Sequence, residues 1–156
     1  MQKPGAKGLA DLKIRVAEMG DAGAIAGLMS ELGYETRVAE MEMRLEPILK
    51  DSAYQTLVAI SQGRLCGVVA TVCHLSHEHN DVGARIIALV VSKEMRGRGI
   101  GGELVRAAEE GLIAKNITRV ALNTRFERKD AHEFYEGLGY VKNGFRFVKT
   151  LGGLAD

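Results

Sequence analysis

The stretch "MRGRGIGG", residues 95–102, decides how this chain is read, because two phosphate-binding patterns overlap in it. Gly97, Gly99 and Gly102 satisfy G-x-G-x-x-G, the turn of a dinucleotide-binding fold. Arg96, Gly99 and Gly101 equally satisfy R-x-x-G-x-G, a loop that grips a pyrophosphate. Both patterns aim backbone N–H groups at a helix start toward phosphate oxygens. The surrounding sequence has to choose between them.

Immediately before the loop, "ARIIALVV" (84–91) is almost continuously apolar, which predicts a strand buried on both faces. After it, Leu104, Val105, Ala108 and Leu112 repeat at helical spacing. "RVALNT" (119–124) reads as a further buried strand. "DAHEFYEGLGY" (130–140) reads as a helix capped by Asp130 and ended by Gly139, and "FRFVKTL" (145–151) as a closing strand. Upstream, "LKIRVAEMG" alternates from Leu12, a short first strand. Asp21 is placed to cap a helix with Ile25, Leu28, Met29 and Leu32 on one face and Gly33 as its stop. A second helix is expected from Val38 to Leu49, with Met41, Leu45, Ile48 and Leu49 inward and a kink or interruption at Pro47. "TLVAISQGRLCGVVATVCHL" (56–75) reads as two strands joined at Gln62-Gly63. The order is β-α-α-β-β-β-α-β-α-β, an α/β chain with a mixed sheet and helices on both faces.

That order removes the dinucleotide reading. A dinucleotide fold places a ribose-binding acid about 20 residues after the glycines, at the tip of the next strand. Here that tip is Asn123-Thr124. Only 55 residues follow Gly101, too few for a second mononucleotide half. No Gly-Lys-Ser/Thr follows either, so a P-loop is excluded. What remains is a strand, a glycine turn carrying Arg96 and Arg98, and a helix N-terminus, which suits a pyrophosphate. A glycine-rich turn with solvated arginines is the plain alternative for a motif this short.

Composition sets the outer bounds. A chain of 156 residues is expected to form one domain, here residues 11–156 behind a loose tail at 1–10. A formal net charge of +1 gives no sign of a nucleic-acid or anionic-membrane partner. The longest apolar run, Ile86 to Val91, is too short to span a bilayer, and the tail lacks a signal-peptide core. A cytoplasmic location is the expectation. Cys66 and Cys73 have no CxxC spacing and are read as a reduced, inert pair.

The loop motif is not alone. Through "LVVSKEMRGRGIGGELVRAAEEG" and again through "DAHEFYEGLGYVKNGFRFVKTL", the chain resembles the GCN5-related N-acetyltransferase (GNAT) superfamily. It is most similar to the small bacterial branch that includes aminoalkylphosphonate acetyltransferase-like proteins. The hairpin "VAISQGRLCGVV" and the two early helices sit where that fold has them. The resemblance implies a single GNAT domain and acetyl-CoA as cofactor. It also implies a homodimer as an expected assembly.

By motif position, Leu89, Val90 and Val91 would offer main-chain groups to the pantetheine arm, and an N–H near Leu89 would polarise the thioester carbonyl. Plain core packing is compatible with that role. Arg96, Gly97, Arg98, Gly99, Ile100, Gly101 and Gly102 would wrap the pyrophosphate. Asn123 and Arg128 are further cofactor candidates, the latter equally readable as a solvated loop arginine. Tyr135, in the motif F-Y-E-x-L-G-Y, would be the general acid that protonates the departing thiolate. A phenol is still protonated near neutral pH, so it can donate a hydrogen bond, or its proton, to the departing thiolate. Without the motif, Tyr135 would be a core tyrosine beside Phe134.

The base and the acceptor pocket are less determined. Family members often carry an acid on the central strand, where this chain has Ile87 and Ala88. Glu31, Glu35 and His74 are the candidate bases, and Glu31, Tyr34, Glu35 and His74 the candidate acceptor contacts. Acids at 31 and 35 would favour a cationic amine, whereas Arg37, Arg44 and Arg85 would meet an anionic acceptor. His74, His77 and His79 share one loop, but no acid or cysteine partners them at regular spacing, so no metal is assigned. The leading expectation is direct attack by the primary amine of a small molecule on the thioester. The alternatives are a protein N-acetyltransferase and a non-catalytic acyl-CoA-binding sensor.

Overall fold

The computed structural model describes residues 9–124 and 129–152. They fall into two compact units, one ending at Leu122 and one beginning at Asn123. The larger unit holds a five-stranded sheet in the order β1-β2-β3-β4-β5. The strands are β1 (Lys13–Val16), β2 (Tyr54–Ser61), β3 (Arg64–His74), β4 (Gly83–Val91) and β5 (Val120–Ala121). The first four pair antiparallel and β5 runs parallel to β4, so the sheet is mixed as expected.

The hairpin between β2 and β3 forms at the expected place. Gln62 (φ 52) and Gly63 (φ 73) both adopt the left-handed conformation that a two-residue turn of the type I′ class requires. Gly33 likewise ends α1 (Ala22–Leu32) with φ 108, and its N–H returns to the Met29 and Ser30 carbonyls. Asp21 does not cap that helix with its side chain. Its carboxylate instead takes the Arg15 guanidinium at 2.8 and 2.9 Å and the Glu18 N–H at 2.8 Å, and the arginine holds it below the usual carboxylate range. The second helix, α2 (Val38–Lys50), continues through Pro47 rather than stopping there, because only the final turn lies beyond it.

Strand alternation sorts the core onto two faces. Val58, Val68 and Val90 share one face and pack with Ile25, Leu28, Met41 and Leu45 of α1 and α2. The opposite face receives α3 (Ile100–Ala114), whose Ile100, Leu104, Val105, Ala108 and Leu112 are all buried. At Gly67 that helix packs tightly: a Cβ there would lie 2.9 Å from Leu104 and 3.3 Å from the Val90 carbonyl. Helices therefore cover both faces. Leu104 is fully buried, and Leu104→Ala is expected to cost about 2–5 kcal/mol by loss of burial and a residual cavity. The denaturant midpoint should fall with an unchanged slope.

Three expectations are corrected. The strand at 84–91 is not buried on both faces, since Arg85 and Ile87 are exposed. At Ile87 the strand also carries a bulge: Ala70 pairs with Ala88 and Thr71 with Ile86, leaving Ile87 as the extra residue. A bulge exchanges the faces of the residues on either side of it. Hence Ala84 clusters with Leu112 of α3, while Val90 joins α1 and α2. The strand expected at 119–124 shrinks to Val120–Ala121, half-buried to exposed, because it pairs with β4 only at Ala84 and Arg85. The closing strand "FRFVKTL" is absent among the described residues.

The smaller unit contains α4 (Lys129–Gly137), ended by Gly139 at φ 94. Among its described residues it has no strand, so the alternating segment after α4 lacks a ladder partner within it. Phe145, Phe147, Val148 and Leu151 are all exposed.

Candidate active site

The site grows from the end of β4. The Ser92 N–H donates to the Cys66 carbonyl of β3 at 2.8 Å. Main-chain groups in an antiparallel strand alternate sides, so counting back from Ser92 puts Val90 toward β3 and Leu89 and Val91 away from it. The Val91 carbonyl lies on that outer side and accepts the Arg96 Nε–H at 3.1 Å. Beyond Arg85 no strand pairs with this outer edge among the described residues. The early end of β5 thus leaves Leu89 to Val91, the segment singled out from the sequence, without a strand partner on that edge among the described residues.

Past β4, a tight turn at Lys93–Met95 leads into the glycine loop. Gly97 (φ 77) and Gly99 (φ 86) adopt left-handed backbone that other residues enter only at a cost. Gly99 is the N-cap of α3 and offers no side chain to the helix end. The first internal bond, Glu103 N–H to the Gly99 carbonyl at 3.1 Å, comes after the N–H groups of Ile100, Gly101 and Gly102. Those three donors face the loop without a side-chain cap, at the positive end of a 15-residue helix. Ile100 is buried and anchors the turn, while Arg96, Gly97, Arg98 and Gly99 are exposed. The space beside Gly97 and Gly102 is open to 4 Å. Arg98 makes no hydrogen bond or ion pair among the described residues, whereas Glu103, the acid in the first turn, is neutralised by Arg106 at 2.5 Å. Amide donors at a helix N-terminus and an exposed guanidinium beside them fit a pyrophosphate.

The chain as described matches a known family model, that of the acetyltransferase (GNAT) family, over residues 24–140. It belongs to the GNAT family. Over 94 residues it is 34% identical to the aminoalkylphosphonate N-acetyltransferase of Salmonella typhimurium, a match covering 60% of this chain and 61% of that protein, less than two thirds of its length. An uncharacterised N-acetyltransferase of Bacillus subtilis is 29% identical over 129 residues, 80% of this chain and 87% of the relative. The crystal structure of a GNAT family acetyltransferase from Staphylococcus aureus superposes with a TM-score of 0.78 at 26% identity, covering 90% of this chain and 98% of that one.

The remaining sequence-derived residues are distributed as follows. Tyr135 is half-buried in α4, edge-to-face with Phe134 at 5.1 Å and with Tyr140 at 5.8 Å. Asn123 is exposed, two residues beyond β5, and Arg128 lies outside the described residues. Tyr34 and Glu35 are exposed in the turn between α1 and α2, and the Tyr34 carbonyl accepts the Thr36 hydroxyl at 2.7 Å. The His74 ring lies over Gly83, where a Cβ would approach its Cε1 to 2.8 Å, with Nδ1 3.2 Å from the Leu75 carbonyl. Among the described residues, no group of three or more His, Cys, Asp and Glu side chains gathers at one point. No described helix is long and apolar enough to cross a membrane. Cys66 is buried, its thiol pushed up by desolvation and directed at the Ala59 carbonyl at 3.5 Å, a setting that suppresses nucleophilicity.

Sequence reasoning missed three features here: the bulge at Ile87, the Arg96 contact with Val91, and a contact from Glu31. The Glu31 carboxylate accepts the Lys93 N–H at 3.0 Å, joining α1 to the turn before the glycine loop. The bulge depends on a partner strand and the Glu31 contact on a residue 62 positions away, so no local pattern signals either; the Arg96 contact spans only five residues but carries no sequence signature.

Proposed function

We propose that the protein is an acetyl-CoA-dependent N-acetyltransferase whose acceptor is the primary amine of a small molecule, attacked directly without an acyl-enzyme. The observation that carries this reading is the pairing of an open β4 edge at Leu89–Val91 with the uncapped N–H groups of Ile100 to Gly102. Acetyl-CoA would supply the activated acyl carbon. Arg96, Gly97, Arg98, Gly99, Ile100, Gly101 and Gly102 hold the pyrophosphate, and the outer main-chain groups of Leu89 and Val91 hold the pantetheine arm. The Leu89 N–H donates to the negative charge that develops on the thioester oxygen, a donor fixed in place before reaction. Tyr135 gives its proton to the leaving sulfur. Asn123 and Arg128 add contacts to the cofactor. Tyr34, Glu35 and His74 form the acceptor side, and the protein works in the cytoplasm.

The test is calorimetric titration with coenzyme A together with thiol release from acetyl-CoA over a panel of primary amines. Micromolar-range coenzyme binding with turnover of at least one small amine is the expected result. Binding without turnover of any amine would make the chain an acyl-CoA sensor, and absence of coenzyme binding would remove the proposal altogether.

A further inference from the structure

Glu31 stands in the last turn of α1, where the helix's own negative end disfavours a carboxylate and no basic residue offsets it. Its placement makes sense through one contact, reached across 62 positions of sequence. Oε2 accepts the backbone N–H of Lys93 at 3.0 Å. That N–H opens the turn Lys93–Met95, whose N-cap, Ser92, supplies no side-chain bond of its own. The turn is thus braced twice. Glu31 holds its first amide, and Arg96, immediately after it, folds back on the Val91 carbonyl at 3.1 Å. Within the turn, the Met95 N–H bonds the Ser92 carbonyl at 3.0 Å.

We propose that Glu31 is a positioning residue for the pyrophosphate loop, setting affinity for the coenzyme rather than accepting the amine's proton or binding its charge. This rests on the reading of Arg96–Gly102 as the coenzyme site. A carboxylate bonded to an amide N–H is a charge-assisted contact, stronger than a neutral one and weakened by solvent because Glu31 is exposed. Its loss leaves the entry to the loop free to sample other conformations, and coenzyme binding must then order it. An amide oxygen can accept the same N–H, so glutamine preserves the function. A proton acceptor or an ammonium anchor has no such substitute.

The experiment compares wild type, Glu31→Ala and Glu31→Gln by coenzyme A calorimetry, steady-state acetyl transfer, thermal melting and amide hydrogen exchange. Glu31→Ala is expected to weaken coenzyme A, and to raise KM for acetyl-CoA, by about fivefold to tenfold. Its kcat and melting temperature should stay at wild-type values, and exchange at Lys93 should accelerate. Glu31→Gln should restore most of the affinity. If both variants lose kcat alike with coenzyme affinity intact, Glu31 acts on the acceptor and the proposal is overturned. If wild type binds coenzyme A and Glu31→Ala binds it equally well, this proposal alone fails. If wild type does not bind it, the coenzyme site itself has been misassigned and the proposal fails with it.

Discussion

Tyr135→Phe is expected to lower kcat by about a hundredfold or more, the range for removal of a positioned general acid, while coenzyme A affinity stays at the wild-type value. The two effects separate because the hydroxyl and the ring do different work. The ring packs edge-to-face against Phe134 and Tyr140 at 5.1 and 5.8 Å, and phenylalanine keeps both contacts. The helix end beneath it is held by backbone bonds to the Tyr135 carbonyl, from the N–H groups of Leu138 and Tyr140 at 3.0 Å each, and these are indifferent to the side chain. The substitution removes the hydroxyl, the proposed proton donor. Thiol release at saturating acetyl-CoA measures kcat, and calorimetry with coenzyme A measures binding. A parallel fall in both would mean that the hydroxyl holds the coenzyme in place, and the general-acid assignment would be withdrawn. An unchanged kcat would mean that the thiolate departs unassisted.

The parts of this protein legible in sequence were those whose signal is local. Gln62-Gly63 announced a hairpin because a two-residue turn demands left-handed backbone, and Gly33 announced a helix end for the same reason. The spacing of Leu104, Val105, Ala108 and Leu112 fixed the buried face of α3. The turn of the glycine loop was legible because Gly97 and Gly99 hold left-handed backbone that only glycine reaches cheaply. What escaped was set by partners. An apolar run such as "ARIIALVV" says that side chains avoid water, but not that one of them is squeezed out of register against β3. Asp21 looked like a cap, yet a guanidinium competes for the same oxygens and wins, being charged and bidentate. The alternation in "FRFVKTL" is a strand's, but a strand exists only where a neighbour supplies its ladder. Glu31 was read as a candidate base and acceptor contact, and its bond to the Lys93 N–H, 62 residues along the chain, had no signal in the sequence.

Gly99→Val tests the loop at its most constrained point and is expected to weaken coenzyme A by about a hundredfold, a change of about 2.7 kcal/mol. The residue has φ 86 and is the N-cap of α3. For a residue with a Cβ the left-handed region costs about 1–2 kcal/mol, and β-branching adds to it. The backbone can relieve that strain only by rotating toward negative φ, which swings Gly97 and Arg98 on one side away from the N–H groups of Ile100, Gly101 and Gly102 on the other. The donors then no longer converge, and a multidentate anion loses several bonds at once. A lowered melting temperature alone would be explained by strain, so a second variant separates strain from contact. Gly102 lies within α3 with nothing inside 4 Å of an added Cβ. Alanine there improves helix propensity by up to about 1 kcal/mol. Gly102→Ala should therefore hold or raise stability, so any loss of coenzyme affinity it causes reports a methyl group intruding on the bound phosphates. If Gly99→Val melts earlier yet binds coenzyme A as tightly as wild type, the amides of Ile100 to Gly102 are not the anion's ligands, and the arginines alone would have to hold it.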